Sequence, residues 1–188
     1  MTVALHWGEI DKEKLRDIIF KNPEFVQQGL SVIDTQLGTE EEGIIEFLAV
    51  DKGGRLVLIN FDTRENDNLL VSSLSQMQWL AKIEKVLKRL YIKENVNFDH
   101  PPLLLIIAPF FSEKAKAAAR QITSHDIKFI EFKYMLVEGR DAVAFDEVFS
   151  NKSRSAAKPL EIVPPRPLPL KEIRLTPEEI AGLLNFEK

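Results

Sequence analysis

The sequence contains no cysteine and no long apolar run. The lack of cysteine excludes disulfides, thiolate nucleophiles and cysteine-ligated zinc or iron–sulfur sites. No stretch reaches the roughly 18 apolar residues that a membrane-spanning helix needs, and the first residues carry no apolar core of signal-peptide length. We therefore expect a cytoplasmic protein that has no membrane anchor.

Two common kinds of site are also missing. The Gly53-Gly54 pair stands between two predicted strands and has no Lys-Ser/Thr partner, so it is not a phosphate-binding loop. The three histidines, His6, His100 and His125, have no histidine or carboxylate partner at ligand spacing. Nucleotide hydrolysis and zinc binding are therefore not supported.

The formal net charge of −4 is distributed unevenly along the chain. Residues 151–188 hold seven Lys/Arg and five Glu, which leaves a charge of −6 on residues 1–150. An acidic body argues against a protein that coats nucleic acid through bulk electrostatics. A single domain over residues 1–150 with a basic appendage is the expected organisation.

The first half of the chain predicts one helix and three strands. Asp11 is a suitable N-cap for a short helix with Leu15, Ile18, Ile19 and Phe20 on one face, and Asn22-Pro23 ends it. The segments LSVIDTQL, GIIEFLAVD and RLVLINFD then read as strands. The Gly53-Gly54 turn predicts a tight hairpin between the second and third of them.

The second half predicts two more helices and three more strands. One long helix carries its apolar residues on a shared face: Leu70, Leu74, Met77, Leu80, Ile83, Leu87 and Leu90. The run LLLIIAP indicates a strand covered on both sides, and Ser112 caps a following helix before two final strands. The fold class is therefore α/β, a mixed sheet flanked by helices.

Beyond residue 150 the hydrophobic period is lost. Residues 151–175 form a Pro-rich basic linker, whose PPRPLP segment we interpret as a stiff spacer rather than a polyproline ligand. Thr176 and Pro177 predict a short helix over 176–188. Its apolar residues need a surface on the body or on a second copy, so a homodimer through this C-terminal arm is one expectation.

One block of the sequence runs NPEFVQQGLSVIDTQLGTEEEGIIEFLAVDKGGRLVLINFD. This block resembles the RecB-like and NucS-type endonucleases of the PD-(D/E)XK nuclease superfamily. In the family an Asp lies three residues after a Gly, a Gly turn follows, and the next strand ends in Glu-x-Lys. Here the Gly falls on Gly43, the Asp on Glu46, and Glu-x-Lys on Asn60-Phe61-Asp62. The resemblance implies a restriction-endonuclease-like αβββαβ core and extends over most of residues 11–150.

The residues at the family's catalytic positions have changed. In the family, Asp and Glu hold Mg²⁺, and Lys helps to activate water or offsets charge on the reacting phosphate. Asn60 offers only a neutral oxygen, and Asp62 places a negative charge where a positive one is needed. The resemblance therefore implies that Glu46, Asp62 and Glu24 could bind Mg²⁺ or Mn²⁺ weakly, with no metal required. A rearranged site using Lys52, Arg55 or Arg64 remains an alternative.

Two further features belong to this comparison. The long helix of the family carries a Gln and, one turn later, a Tyr, in a region where this chain has Ser75, Gln76 and Trp79. A stripe of cations on the same helix could contact phosphates, or it could be a solvated face balanced by Glu84 and other carboxylates. The stripe consists of Lys82, Lys85, Lys88 and Arg89.

Three functions follow from these observations. The first is a catalytically inactive nuclease-like protein that binds DNA, RNA or a partner in nucleic-acid metabolism. The second is a metal-dependent DNA or RNA endonuclease whose site is rebuilt around Glu46 and Asp62. The third is a protein-interaction scaffold, which the acidic body favours. A fold shared with nucleases does not choose among the three.

Overall fold

The computed structural model describes residues 5–137 and 140–152, with side chains described for residues 8–137 and 141–152. The predicted helix 176–188, and the linker 151–175 beyond its first two residues, lie outside the described residues. The homodimer predicted through them stays a prediction. The described elements are β1 (Leu5–Trp7), α1 (Lys12–Lys21), a 3₁₀ turn (Pro23–Phe25), β2 (Ser31–Thr39), β3 (Gly43–Val50), β4 (Leu56–Phe61), α2 (Asn68–Lys82), α3 (Glu84–Leu90), β5 (Leu103–Ala108), α4 (Glu113–Gln121), β6 (Asp126–Val137) and β7 (Arg140–Ser150).

The strands of the described part form one seven-stranded mixed sheet in the order β1-β6-β5-β4-β3-β2, with β7 paired along β6. The β4–β5 and β5–β6 pairs are parallel, whereas the other pairs are antiparallel. The predicted fold class, an α/β core in the αβββαβ order with a mixed sheet flanked by helices, is confirmed. The parallel strands end at one edge of the sheet, which matters for the site because ligands bind at such edges.

The sheet separates two hydrophobic cores. On the α2 face, Met77 and Leu80 pack with Leu58 of β4. On the α1 face, Leu15 and Ile19 pack with Ile59 and its neighbours. The central strand β5 is buried along its whole length, as its uninterrupted apolar run predicts.

Local sequence signals fix the ends of several elements. The Asp11 carboxylate accepts a hydrogen bond from the Lys14 backbone N at 2.7 Å, and Ser112 caps α4 in the same way. In the β3–β4 hairpin, Asp51 Oδ1 accepts hydrogen bonds from the backbone N of Gly53 and of Arg55. Gly54 has a φ of +81°, a conformation that glycine adopts without strain. The predicted caps at Asp11 and Ser112 and the predicted hairpin are therefore confirmed.

The structure departs from the sequence predictions at four places. Strand β1 is only three residues long, too short for any periodicity to reveal. The predicted long helix is interrupted at Ile83, whose φ of −98° and ψ of 10° lie outside the helical region. Helix α3 begins at Glu84, and Leu90 at its end is 61% exposed rather than buried. Phe20, in the last turn of α1, is 53% exposed and stacks at the rim on Phe47.

No helix of the described residues combines the length and the apolar character needed to cross a membrane.

Candidate functional site

Four polar side chains are buried in the described part of the chain, and all four lie in one neighbourhood. They come from β3, β4 and α2 and belong to Glu46, Asn60, Ser73 and Gln76, residues that are each less than 8% exposed as a whole. Burying such groups costs free energy unless each one is hydrogen-bonded or paired. A cluster of this kind therefore marks the place where the fold departs from an apolar interior.

The Glu46 carboxylate is held by two cations of helix α1. Lys12 Nζ lies 2.5 Å from Oε1, and Arg16 Nη2 lies 2.6 Å from Oε2, with Arg16 Nε at 3.2 Å from the same oxygen. Lys12 and Arg16 are four residues apart and so project from the same side of the helix. Both cations also lie over the Phe61 ring. Each carboxylate oxygen is thus engaged by a positive charge.

On the α2 face of the sheet, both the oxygen and the nitrogen of the Asn60 amide form hydrogen bonds. Its Oδ1 accepts a hydrogen bond from the Glu46 backbone N at 3.1 Å. Its Nδ2 donates to Ser73 Oγ at 2.7 Å and to Gln76 Oε1 at 2.6 Å. Gly43 lies against this network, since a Cβ there would be 3.2 Å from Gln76 Nε2. The amide therefore joins β3, β4 and α2 as a neutral network.

Glu46 and Asn60 do not present their functional groups to a common point. Ile45 and Leu48 belong to the core on the α2 face, whereas Phe47 belongs to the core on the α1 face, so the alternation of β3 breaks near Glu46. The regular β3–β4 register begins at Phe47. The Glu46 backbone N is consequently satisfied by the Asn60 side chain, while its carboxylate turns to α1.

The other two predicted acidic residues lie apart from this arrangement. The Asp62 carboxylate accepts hydrogen bonds from the Arg64 backbone N and from Asn66 Nδ2, which shapes the loop after β4. Glu24 is exposed in the 3₁₀ turn. Within residues 5–137 and 140–152, no group of three or more His, Asp or Glu side chains is placed to hold a metal ion. The weak cation site of Glu24, Glu46 and Asp62 stays a prediction.

The residues at the catalytic positions of the family do not fit Mg²⁺. Mg²⁺ is bound by anionic oxygens in a regular octahedral shell. Here both Glu46 oxygens already bind Lys12 and Arg16, whose charges repel a cation at short range. The Asn60 oxygen is taken by a buried backbone N–H. The positive charges of α1 thus engage both oxygens of Glu46, the residue that the sequence resemblance matched with the family's metal-binding Asp.

Of the cations predicted for a rearranged site, two lie at the wrong end of the sheet. Arg55 donates to the carbonyl oxygens of Pro101 and Pro102 and pairs with Asp126. Lys52 is exposed in the hairpin turn. The five residues from Arg55 to Asn60 span about 16 Å of strand, so neither cation reaches Glu46. Arg64 is exposed on the Glu46 side of the sheet.

Arg64 opens onto a groove at the carboxyl ends of the parallel strands. The groove has a volume of about 1040 Å³ and is lined by residues that follow β4 and β5 and precede α1. Its cations are Lys12, Arg64 and Lys133, and its carboxylates are Glu9 and Asp11. Because Lys12 reaches both the groove and Glu46, the buried site and the groove adjoin.

A second polar cluster lies beside this groove. Lys14 Nζ donates to Asp141 Oδ1 at 2.8 Å and to Tyr134 Oη at 3.0 Å, and the Tyr134 hydroxyl donates to Asp141. Hydrogen bonds to Asp141 and Tyr134 raise the pKa of Lys14, and the bond from Lys14 lowers the pKa of Asp141. The cluster therefore stays an ion pair at neutral pH and ties α1 to β6 and β7.

The fold of this chain is similar to that of repair endonucleases. A repair endonuclease from Pyrococcus abyssi matches with a TM-score of 0.44 and 19% identity, over 66% of this chain and 47% of its own. EndoMS in a complex with double-stranded DNA matches with a TM-score of 0.43 and 18% identity, over 64% of this chain and 44% of its own. EndoMS in its apo form matches with a TM-score of 0.39 and 18% identity, over 58% of this chain and 42% of its own.

This chain spans less than half the length of those structures. The resemblance to NucS-type endonucleases predicted from the sequence is confirmed as a likeness of fold. The likeness, with TM-scores below 0.5, concerns the fold and not the activity of those proteins. No protein-family model matches the chain, and no curated protein matches it.

The predicted stripe of cations is only partly balanced. Lys88 pairs with Glu84 at 2.5 Å, and Lys82 lies 3.6 Å from Glu42. Among the described residues, Lys85 and Arg89 have no ion-pair partner. Their predicted contact with nucleic acid stays a prediction.

Sequence reasoning missed the partners of Glu46. Lys12 and Arg16 have the spacing of one helical turn, but nothing local relates them to a strand some 30 residues later. Gln76, by contrast, was named from the family pattern, and it bonds Asn60. Trp79 is half-buried against the core on the α2 face.

Proposed function

We propose that this chain is a nuclease-like domain that binds nucleic acid and does not cut it. The observation that carries the proposal is the pairing of Glu46 with Lys12 and Arg16. Hydrolysis of a phosphodiester in this family depends on metal ions that stabilise the attacking and leaving oxygens. A carboxylate neutralised by two side chains offers no net negative charge to attract such an ion.

The groove beside Glu46 supports a binding role. It lies where the parallel strands end, the usual position of ligands in open α/β sheets. Arg64 and Lys133 are exposed in it, so both can reach phosphate oxygens without leaving a buried partner unpaired. The groove also carries Glu9 and Asp11, so we expect modest affinity and strong dependence on salt.

The deciding experiment scores cleavage and retention together. The purified protein is incubated with single- and double-stranded DNA and RNA in the presence of Mg²⁺ or Mn²⁺ and analysed on one gel. We expect retention of nucleic acid without cleavage, both for the natural protein and for Glu46→Gln. Metal-dependent cleavage that is abolished by Glu46→Ala would refute the proposal and establish a rearranged nuclease.

Charge reversal tests the groove as the binding surface. The variant Arg64→Glu/Lys133→Glu should lower the affinity at least roughly tenfold and reduce the slope of log K against log salt by about 2. The matched control is Lys21→Glu/Lys114→Glu, which makes the same charge change at exposed positions outside the groove. Equal losses in the two variants would mean that only net charge matters. No binding at all would favour the scaffold function.

A further inference from the structure

Helix α3 exposes aliphatic side chains on its outward face. Val86 is 52% exposed, Leu90 is 61% exposed, and Ile92, just beyond the helix, is 73% exposed. Val86 and Leu90 are one helical turn apart, so their side chains adjoin. Leu87, at a neighbouring position around the helix, is buried in the core. Two aliphatic side chains within seven helical residues, and a third just past the helix end, form a patch rather than scattered surface residues.

Exposed cations flank this aliphatic patch along the chain. The complete set, here named the α3 surface, is Val86, Leu90 and Ile92 with Lys82, Lys85, Arg89 and Lys93. All four cations are exposed. Among the residues that the structure describes, only Lys82 of these four has an ion-pair partner, Glu42 at 3.6 Å. The surface is therefore apolar at its centre and positive at its rim, on a body that is acidic overall.

We propose that the α3 surface binds an acidic amphipathic segment of a partner protein. Exposed Val86 and Leu90 gain free energy only against another apolar surface, which a phosphate backbone does not offer. Aliphatic side chains also do not stack on bases as aromatic rings do. A helix with aliphatic anchors one turn apart and carboxylates on its flanks satisfies both the centre and the rim.

The charge pattern selects the sign of the partner. A rim of Lys85, Arg89 and Lys93 attracts carboxylates and speeds encounter, while a basic segment is repelled. The aliphatic centre then determines how long the complex lasts. The α3 surface thus combines cations with exposed aliphatic side chains. The groove beside Glu46 differs, because it has no exposed aliphatic cluster among its lining residues. The α3 surface is thus a binding site separate from the proposed nucleic-acid groove.

The probe is a fluorescein-labelled synthetic peptide of about 15 residues, long enough for about four helical turns, with Leu at every third or fourth position and Glu elsewhere. Binding to the full chain is followed by fluorescence anisotropy. Two matched peptides carry Lys in place of Glu, or Ser in place of Leu. We expect the first peptide to bind most tightly and each matched peptide to bind at least roughly tenfold more weakly.

Matched variants of the protein locate the site. Leu90→Ser should weaken binding of the acidic peptide at least roughly fivefold, and Lys85→Glu/Arg89→Glu should weaken it further. The control is Val71→Ser on α2, which removes an aliphatic side chain that is 67% exposed and lies outside the α3 surface. Unchanged circular dichroism confirms that each variant is folded.

Four results would overturn the proposal. The first is no binding of the acidic peptide, and the second is binding that Leu90→Ser leaves unchanged. The third is tighter binding of a DNA or RNA duplex that Arg89→Glu abolishes and Leu90→Ser does not, which would make the α3 surface a nucleic-acid surface. Self-association of the protein that Leu90→Ser abolishes would assign the surface to a second copy and would equally refute an acidic partner.

Discussion

Each face of the β3–β4 hairpin buries a polar side chain, and the two faces compensate for its lost hydration by different chemistry. On the α1 face, a buried carboxylate, Glu46, is balanced by Lys12 and Arg16. On the α2 face, Asn60 forms a neutral network with Ser73 and Gln76. The first arrangement is long-range and ionic, and its cations stay partly solvated. The second is buried, and its stability depends on hydrogen bonds between neutral side chains.

Both faces bear on the proposal that this chain does not cut nucleic acid. A metal approaching from the α1 face meets two fixed positive charges. A metal approaching from the α2 face finds an amide whose oxygen and nitrogen are both engaged. A carboxylate at position 60 would also place an unpaired charge between β4 and α2, which is strongly unfavourable. The packing on both faces therefore supports the proposed absence of metal-dependent cleavage.

The largest expected effect on stability comes from removing the ion pairs of Glu46 on the α1 face. Lys12→Met/Arg16→Met leaves the Glu46 carboxylate, only 9% exposed, without a partner. We expect the free energy of unfolding to fall by about 3–5 kcal/mol, measured by urea denaturation. The control is Lys21→Met, which removes an exposed pair with Asp17 and should cost less than about 0.5 kcal/mol. A loss as small as that of the control would mean that Glu46 is solvated.

A smaller effect is expected from the neutral side. Gln76→Leu removes the acceptor of one Asn60 N–H, and we expect a loss of about 1–3 kcal/mol in the free energy of unfolding. Gln78→Leu, an exposed position on the same helix, serves as the matched control and should be nearly neutral. In a double-mutant cycle with Asn60→Leu, the coupling should be about 0.5–3 kcal/mol. Additive effects would show that the two side chains do not act as a network.

The smallest effect tests whether an ionic cluster elsewhere behaves like that of Glu46. Burial raises the pKa of Asp126, but hydrogen bonds from Lys152 and Arg55 outweigh it and leave the pKa below its ordinary value. Since the folded pKa is depressed, Asp126 stabilises the fold above about pH 4, and this contribution is lost as the pH falls through the folded value. Asp126→Asn should therefore cost about 1 kcal/mol at neutral pH and nothing in strong acid.

Unfolding followed from neutral to acidic pH checks this prediction. Asp99→Asn, at an exposed loop position, should follow the natural protein throughout. A difference between Asp126→Asn and the natural protein that persists in acid would assign the effect to packing rather than to charge.

The sequence was sufficient for the fold because its signals were local. The caps at Asp11 and Ser112, the Gly54 turn and the apolar run of β5 each depend on residues within a few positions. The interruption of the long helix at Ile83 was not predicted, because no proline or glycine marks it and the apolar spacing continues through it.

The site was predicted only in part because its contacts are long-range. The family resemblance identified Glu46, Asn60 and Gln76, all of which are buried. It did not reveal that Glu46 and Asn60 turn to opposite faces, since that depends on the break in alternation near Glu46. Lys12 and Arg16 were missed because the contact joins a helix to a strand some 30 residues away.

The hydrogen bond from the Glu46 backbone N to Asn60 Oδ1 makes one amide a reporter for a whole helix. Asn60 keeps its position only while Ser73 and Gln76 hold it, so the Glu46 amide is released when α2 leaves the sheet. Its deuterium exchange should therefore require opening of that unit rather than fraying of the strand. The exchange rate of this single amide therefore reports the free energy needed to detach α2 from the sheet.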